Sequence, residues 1–143
     1  MQQERNDKGI YSLIIFLPLA RRIKVGSLGA MDFSVGYYSY TGSARGPGGL
    51  KRVDRHILVS QGIKKTRRWH IDYLLPHCSF VEATITRTEV DLECKIAQAI
   101  GKALLPQLRF GCSDCSCNSH LHYSESLQEM REVVALAHAA ARI

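Results

Sequence analysis

No stretch of this sequence approaches the roughly 20 consecutive apolar residues that a membrane-spanning helix needs, so a helical membrane protein is not expected. Internal repeats are absent, and so is any Pro/Gly/Ser-rich linker, which sets aside solenoids and a two-domain chain. The glycine-rich stretch near residue 46 lacks the Gly-Lys-Ser/Thr of a nucleotide P-loop. Acidic side chains are scarce: 13 Asp and Glu stand against 19 Lys and Arg, for a net charge of +6 and a pI near 9.2. That balance favours an anionic partner, nucleic acid before a membrane surface. Nor is there an even set of cysteines. Five are present, three of them within residues 112–117, which argues against a secreted disulfide scaffold and for reduced thiols in a cytoplasmic protein. The opening MQQERNDKGIYSLIIFLPLARR has little of a secretory signal. Its polar head carries both charge signs, and Pro18 and two arginines close the apolar run, so it reads as a first strand.

What is present is the composition of one globular domain. With 45% hydrophobic residues in 143 positions, the chain can bury a real core. A single domain is expected over 1–143, its core at about 9–123 and a last helix at about 125–142. Residues 10–17 are β-branched and aromatic and read as a buried strand. RRIKVGSLG gives a shorter strand, AMDFSVG a loop, and YYSYTG another strand with Tyr38 and Tyr40 on one face by the period of two. Gly46–Gly49 form a turn. A helix then runs to about Gln61, with Leu50, Val53 and Ile57 as its apolar stripe and Arg52, Arg55 and His56 opposite. FVEATITR alternates like a strand. Thr88 opens a helix whose Ile96, Ala97, Ile100 and Leu104 face the core. FGCSDCSCNSHLHYS reads as irregular. Ser126 and Glu129 make a capping box for the last helix. The fold class is α/β, a small, mainly antiparallel sheet flanked by helices.

Three constellations carry chemistry. The first is the basic helix after the glycine turn, where free backbone N–H groups and arginine forks suit a phosphate. Arg45 in the turn, Arg55, and the run Lys64, Lys65, Arg67 and Arg68 extend that surface and would contact a nucleic-acid backbone. The second is Glu93, which lies along the apolar stripe of its helix. A carboxylate there must be paired, with a nearby arginine, or must bind a hard cation. The third is Cys112, Cys115, Cys117, His120 and His122, which offer half of a zinc site or else a loop of packed thiols; Cys94, beside Glu93, could join either. Within WHIDYLL, His70 and Asp72 share a face if the segment is a strand and diverge if it is a helix.

Taken in order, Gly9–Tyr11 (GIY), Tyr40–Gly42 (YTG), the SA that follows, Lys51–His56 (KRVDRH) and a glutamate opening a later helix resemble the GIY-YIG nuclease superfamily. WHIDYLL and the closing FGCSDC.C.SHL resemble an archaeal-type group of small stand-alone GIY-YIG-like domains. The resemblance covers roughly residues 9–123 and implies Mg²⁺- or Mn²⁺-dependent hydrolysis of phosphodiester bonds; DNA is the expected substrate and RNA stays open, while Zn²⁺ rests on the cysteine and histidine spacing alone. It places Tyr11 and Tyr40 beside the scissile phosphate, with Tyr11 helping to activate water. Arg52 steadies the phosphate charge, His56 stands near the nucleophile, and Glu93 holds the metal. Two rivals stay open: a non-catalytic nucleic-acid-binding module that keeps the phosphate pocket, and a zinc-stabilised interaction module.

Overall fold

The computed structural model describes residues 7–111 and 117–142. Strand β1 (Gly9–Leu17) is buried along almost its whole length, as a run of Ile, Leu and Phe with few polar residues requires. It pairs antiparallel with β4 (Gly36–Ala44) on one side and β5 (Ser79–Arg87) on the other. β7 (Leu121–Ser124) and the two-residue β6 (Leu105–Pro106) complete a five-stranded antiparallel sheet in the order β5-β1-β4-β7-β6. The connection from β1 to β4 carries a separate hairpin of β2 (Arg21–Lys24) and β3 (Ala30–Phe33).

Four helices cover the sheet: α1 (Lys51–Ser60), the short α2 (Ile71–Leu74), α3 (Glu93–Gly101) and α4 (Leu127–Ala141). The two-residue period of β1 sorts its side chains between two cores. Tyr11, Leu13, Ile15 and Leu17 pack with Val53 of α1, with Ile71 and Leu74 of α2, and with Ile23 and Phe33 of the hairpin. Ile10 and Ile14 pack with Ile96 and Ile100 of α3 and with Met130 and Val134 of α4. Both faces of β1 are therefore buried.

Several elements depart from the sequence reading. AMDFSVG is not a loop, because Ala30–Phe33 pairs with β2 and buries Phe33. LHYS, inside the segment read as irregular, is a strand that pairs with Tyr37–Tyr40 of β4. α3 begins at Glu93, with Leu92 as its flanking residue, and not at Thr88. Beyond α2, Leu75–His77 form a 3₁₀ turn with Pro76 in its first positions, where a missing N–H costs nothing. The cap of α4 forms in half. The Glu129 N–H donates to the Ser126 hydroxyl at 3.1 Å, while the Glu129 carboxylate accepts from the Ser124 hydroxyl at 2.6 Å instead of reaching back to Ser126. Among the described residues no helix is long and apolar enough to cross a membrane.

Candidate functional site

Four elements bring their polar side chains to one cavity of about 230 Å³. Tyr11 comes from β1, Tyr40 from β4, Arg52 from α1 and Glu93 from the first turn of α3; Trp69 and His70 line the same space. Tyr11 is opposite Gly42 in the β1–β4 register. A Cβ on residue 42 would lie 2.5 Å from the Tyr11 hydroxyl, so the glycine of YTG is what lets the phenol lie across its neighbouring strand. The turn before α1 needs Gly48 and Gly49, whose φ angles are +86° and +54°, a region closed to most side chains. The turn aims α1 so that Arg52 returns to the cavity, where its Nη1 donates to the Ser43 carbonyl at 2.6 Å.

His56 was expected beside the arginines on the outer face of α1. It lies instead on the buried face with Val53 and Val59, and is 1% exposed. A partner within the core outweighs the polar character of the side chain: the Tyr11 hydroxyl and His56 Nε2 share a hydrogen bond of 2.7 Å. Among the described residues His56 Nδ1 has no hydrogen-bond partner. Burial, joined by Arg55 and Arg52 and only partly offset by Asp72, pulls His56 down to about 3. It is therefore a neutral imidazole. Tyr11 moves the other way. Burial and the neighbouring Tyr40, with Glu93, raise it well above the usual tyrosine value, and the Arg52 guanidinium opposes them without prevailing. Free of ligand, the protein holds Tyr11 as a phenol.

The arginines are held by groups that the sequence reading left undecided. Asp72 is fully buried and accepts from Arg55 with both oxygens, each at 3.0 Å. Its Oδ2 also accepts from the backbone N–H groups of Arg68 (2.7 Å) and Trp69 (3.0 Å). Burial alone would push the Asp72 carboxyl up, but these donors outweigh it and hold it below the usual value. The loop so pinned sets Trp69 among three guanidiniums, those of Arg55, Arg52 and Arg68, at 4.5, 4.7 and 5.4 Å from its ring centroid. The spacing of Asp72 three residues after Trp69 is that of a side chain bonding back to nearby N–H groups, and it is the signal that would have identified the pair. His70 Nδ1 accepts from the Gly111 N–H at 2.9 Å, so the ring proton sits on Nε2.

The nucleic-acid candidates divide. Lys64, Lys65 and Arg67 are exposed, and Arg68 lines the cavity. Arg45 pairs with Asp91 at 3.3 Å. Arg55 is engaged with Asp72, so it braces the loop and is not offered to solvent.

The cysteine and histidine candidates divide as well. Cys112 and Cys115 lie outside the described residues. Cys117 and His120 join Cys94 of α3, and their ligand atoms all lie within 4.8 Å of one another, a group that could hold a metal ion. The structure pairs Cys94 with Cys117 as a disulfide, their Cα atoms 6.1 Å apart. His122 is buried outside this group, and burial with the neighbouring His120 pulls it down to about 4. Of the two readings of Glu93, pairing with an arginine finds no support among the described residues. Glu93 Oε2 lies 3.2 Å from His120 Nδ1.

Compared with known proteins, residues 10–143 match the family model described as "Domain of unknown function DUF123". No curated protein and no solved structure matches the chain. The match takes in nearly the whole chain, every cavity residue named above included, and the chain belongs to the DUF123 domain family.

Proposed function

We propose that this protein is a divalent-metal-dependent endonuclease of the GIY-YIG type that hydrolyses phosphodiester bonds in DNA. The observation that carries the reading is the gathering of Tyr11, Tyr40, Arg52 and Glu93 around one cavity from four separate elements. Phosphodiester hydrolysis calls for that combination. A guanidinium and a cation meet the charge building on the phosphate, and a nearby oxygen or nitrogen takes a proton from water. A binding module would have no use for a carboxylate beside a phosphate.

Arg52 is pre-set by the Ser43 carbonyl and the Trp69 ring, so its fork meets phosphate oxygens with little loss of side-chain freedom. Tyr11 donates to His56 Nε2 at 2.7 Å, so the imidazole holds the phenol in place. Arg52 is the side chain beside Tyr11 that favours its phenolate. His70 presents an Nε2–H, which can donate to a phosphate oxygen but cannot take a proton. Glu93 fits a Mg²⁺- or Mn²⁺-type ion, because such ions accept one protein carboxylate with waters and substrate phosphate completing the shell. When bound there, the cation supplies charge stabilisation to the phosphate and to an ionised oxygen nearby. Lys64, Lys65, Arg67 and Arg68 are the proposed backbone contacts.

The test is cleavage of supercoiled, branched and single-stranded DNA with Mg²⁺ or Mn²⁺, beside a chelator control, an RNA arm and Arg52→Ala. Metal-dependent cleavage that is lost in Arg52→Ala is expected. Failure to cleave any of these, or cleavage that survives Arg52→Ala, overturns the proposal.

A further inference from the structure

The nuclease reading uses Glu93 but leaves Cys94, Cys117 and His120 without a task. We infer that the reduced form of this cluster is a zinc site, separate from the hard-cation position, with Glu93 as the carboxylate that orients its histidine. Three features converge. The donor set of two sulfurs and one imidazole suits Zn²⁺ and is wrong for Mg²⁺. The Cys94 Sγ to His120 Nε2 distance is 3.9 Å, close to the ~3.6 Å between two ligands of a tetrahedral zinc with bonds of about 2.0–2.3 Å. Finally, Glu93 Oε2 lies 3.2 Å from His120 Nδ1, not aligned as a hydrogen bond here but close enough for a small turn of the ring to make one. A carboxylate on one ring nitrogen fixes the tautomer and turns the other nitrogen toward the metal.

The surroundings fit a built site. His120 is 1% exposed and Cys117 7%, so two of the three ligands are shielded, while Cys94 is half-buried. The His120 carbonyl accepts from the Thr41 N–H of β4 at 2.9 Å, which ties the cluster to the strand that carries Tyr40. Cys117 borders a cavity of about 340 Å³ with Gln98, Asn118 and His122, which gives an entering ion a path and leaves room for a water as fourth ligand. The disulfide between Cys94 and Cys117 is the oxidised, metal-free form of the same pair. A dithiol reductant supplies two electrons and two protons, giving two thiols and its own cyclic disulfide. Zinc binding then releases two protons from those thiols. Bound zinc would hold the first turn of α3 against the segment before β7, and with it Glu93 at the cavity mouth.

The test reads metal, not DNA. The whole chain is purified under a dithiol reductant, freed of loose metal and analysed for bound zinc; Co²⁺ is then exchanged in for its thiolate charge-transfer absorption. About one zinc per chain is expected. It should be lost in Cys94→Ser and in Cys117→Ser, kept in Cys78→Ala and Arg52→Ala, and bound about 10–100-fold more weakly in Glu93→Gln. To guard against a variant that fails to fold, native wild-type protein is alkylated with and without zinc and its cysteines mapped by mass spectrometry. Zinc should protect Cys94 and Cys117. Absence of zinc from the reduced wild type, protection confined to other cysteines, or full retention of zinc in Cys94→Ser overturns the site. Zinc content is independent of cleavage, so failure here leaves the nuclease proposal standing, and the reverse.

Discussion

Tyr11 and Ser12 are consecutive residues of β1 that point to opposite faces of the sheet, and each meets a histidine. On one side Tyr11 bonds His56 at 2.7 Å. On the other, Ser12 Oγ lies 2.9 Å from His138 Nε2 of α4, while Thr86 Oγ1 lies 2.9 Å from the other ring nitrogen. Thr41 adds a third hydroxyl, 2.7 Å from Ser12. The difference is in what is left over. His138 has both nitrogens satisfied and is fully buried, so its network closes on itself and fastens α4 to the sheet. Among the described residues His56 keeps an unpartnered Nδ1, and its partner Tyr11 opens onto a cavity with Arg52 and Glu93. A closed polar network serves the fold, whereas an incomplete one beside a cavity is arranged for something that arrives.

The sharpest way to break this comparison is to remove one hydroxyl from each side. Tyr11→Phe should lower DNA cleavage by about 10²–10⁴-fold, the usual weight of a proton-transfer group, and cost about 1–3 kcal/mol of stability, because His56 Nε2 loses its partner. Ser12→Ala should leave cleavage near wild type and cost about 1–2 kcal/mol of stability, because His138 Nε2 loses its partner. Cleavage rates and urea denaturation on both variants decide it. Equal activity losses in the two would end the division of labour.

His138→Leu is the next strongest probe. Ser12 keeps Thr41 and Thr86 keeps Arg142, whose Nη1 donates to it at 3.2 Å, so the network is not wholly stranded. A stability loss of about 2–3 kcal/mol is expected by urea denaturation, with cleavage by the folded protein retained. Loss of cleavage in a folded variant would mean that α4 acts on the site.

The same histidines set an acid limit. Burial, with Arg142 nearby, pulls His138 down to about 4, and His56 falls to about 3. Unfolding releases both to about 6.5, so between those values the unfolded chain binds more protons. Stability from these groups is thus full above pH ~6.5 and drains as pH falls toward 4, by up to a few kcal/mol. Urea midpoints at pH 7, 6 and 5 should fall in wild type and fall less steeply in His138→Leu. An unchanged slope in the variant would remove His138 from the account.

How much of this was legible in the sequence follows from range. The period of two put Tyr38 and Tyr40 on one face, and short motifs selected Tyr11, Tyr40, Arg52 and Glu93 before any contact between them was known. What stayed hidden depends on partners that no local pattern announces. His56 reads as a polar residue on a solvated face until Tyr11, 45 positions away, supplies its bond. Ser12 and His138 are 126 positions apart. β7 hides among cysteines and histidines because its burial comes from β4 and not from apolar composition. Cys94 was weighed as a partner for the later cysteines, yet its pairing with Cys117 has no period that could announce it.

The mildest prediction concerns Lys64, in the basic stretch before Trp69. Residues 61–68 are exposed throughout, and Arg67 spends its guanidinium on the neighbouring carbonyls of Lys65 and Thr66. Lys64 can therefore be removed without touching the fold, unlike Arg55, whose loss would strand the buried Asp72. If the loop tracks a phosphate backbone, Lys64→Ala should weaken DNA binding a few-fold, evenly across sequences, and reduce the slope of log affinity against log salt by about 1. Melting temperature should not move. Cleavage at saturating DNA should also hold, because a distant phosphate contact positions substrate without touching the reacting atoms. Binding isotherms at several salt concentrations measure both quantities. An unchanged slope with unchanged affinity would confine DNA contact to the cavity arginines, Arg52 and Arg68, and leave the exposed loop as plain solvated surface.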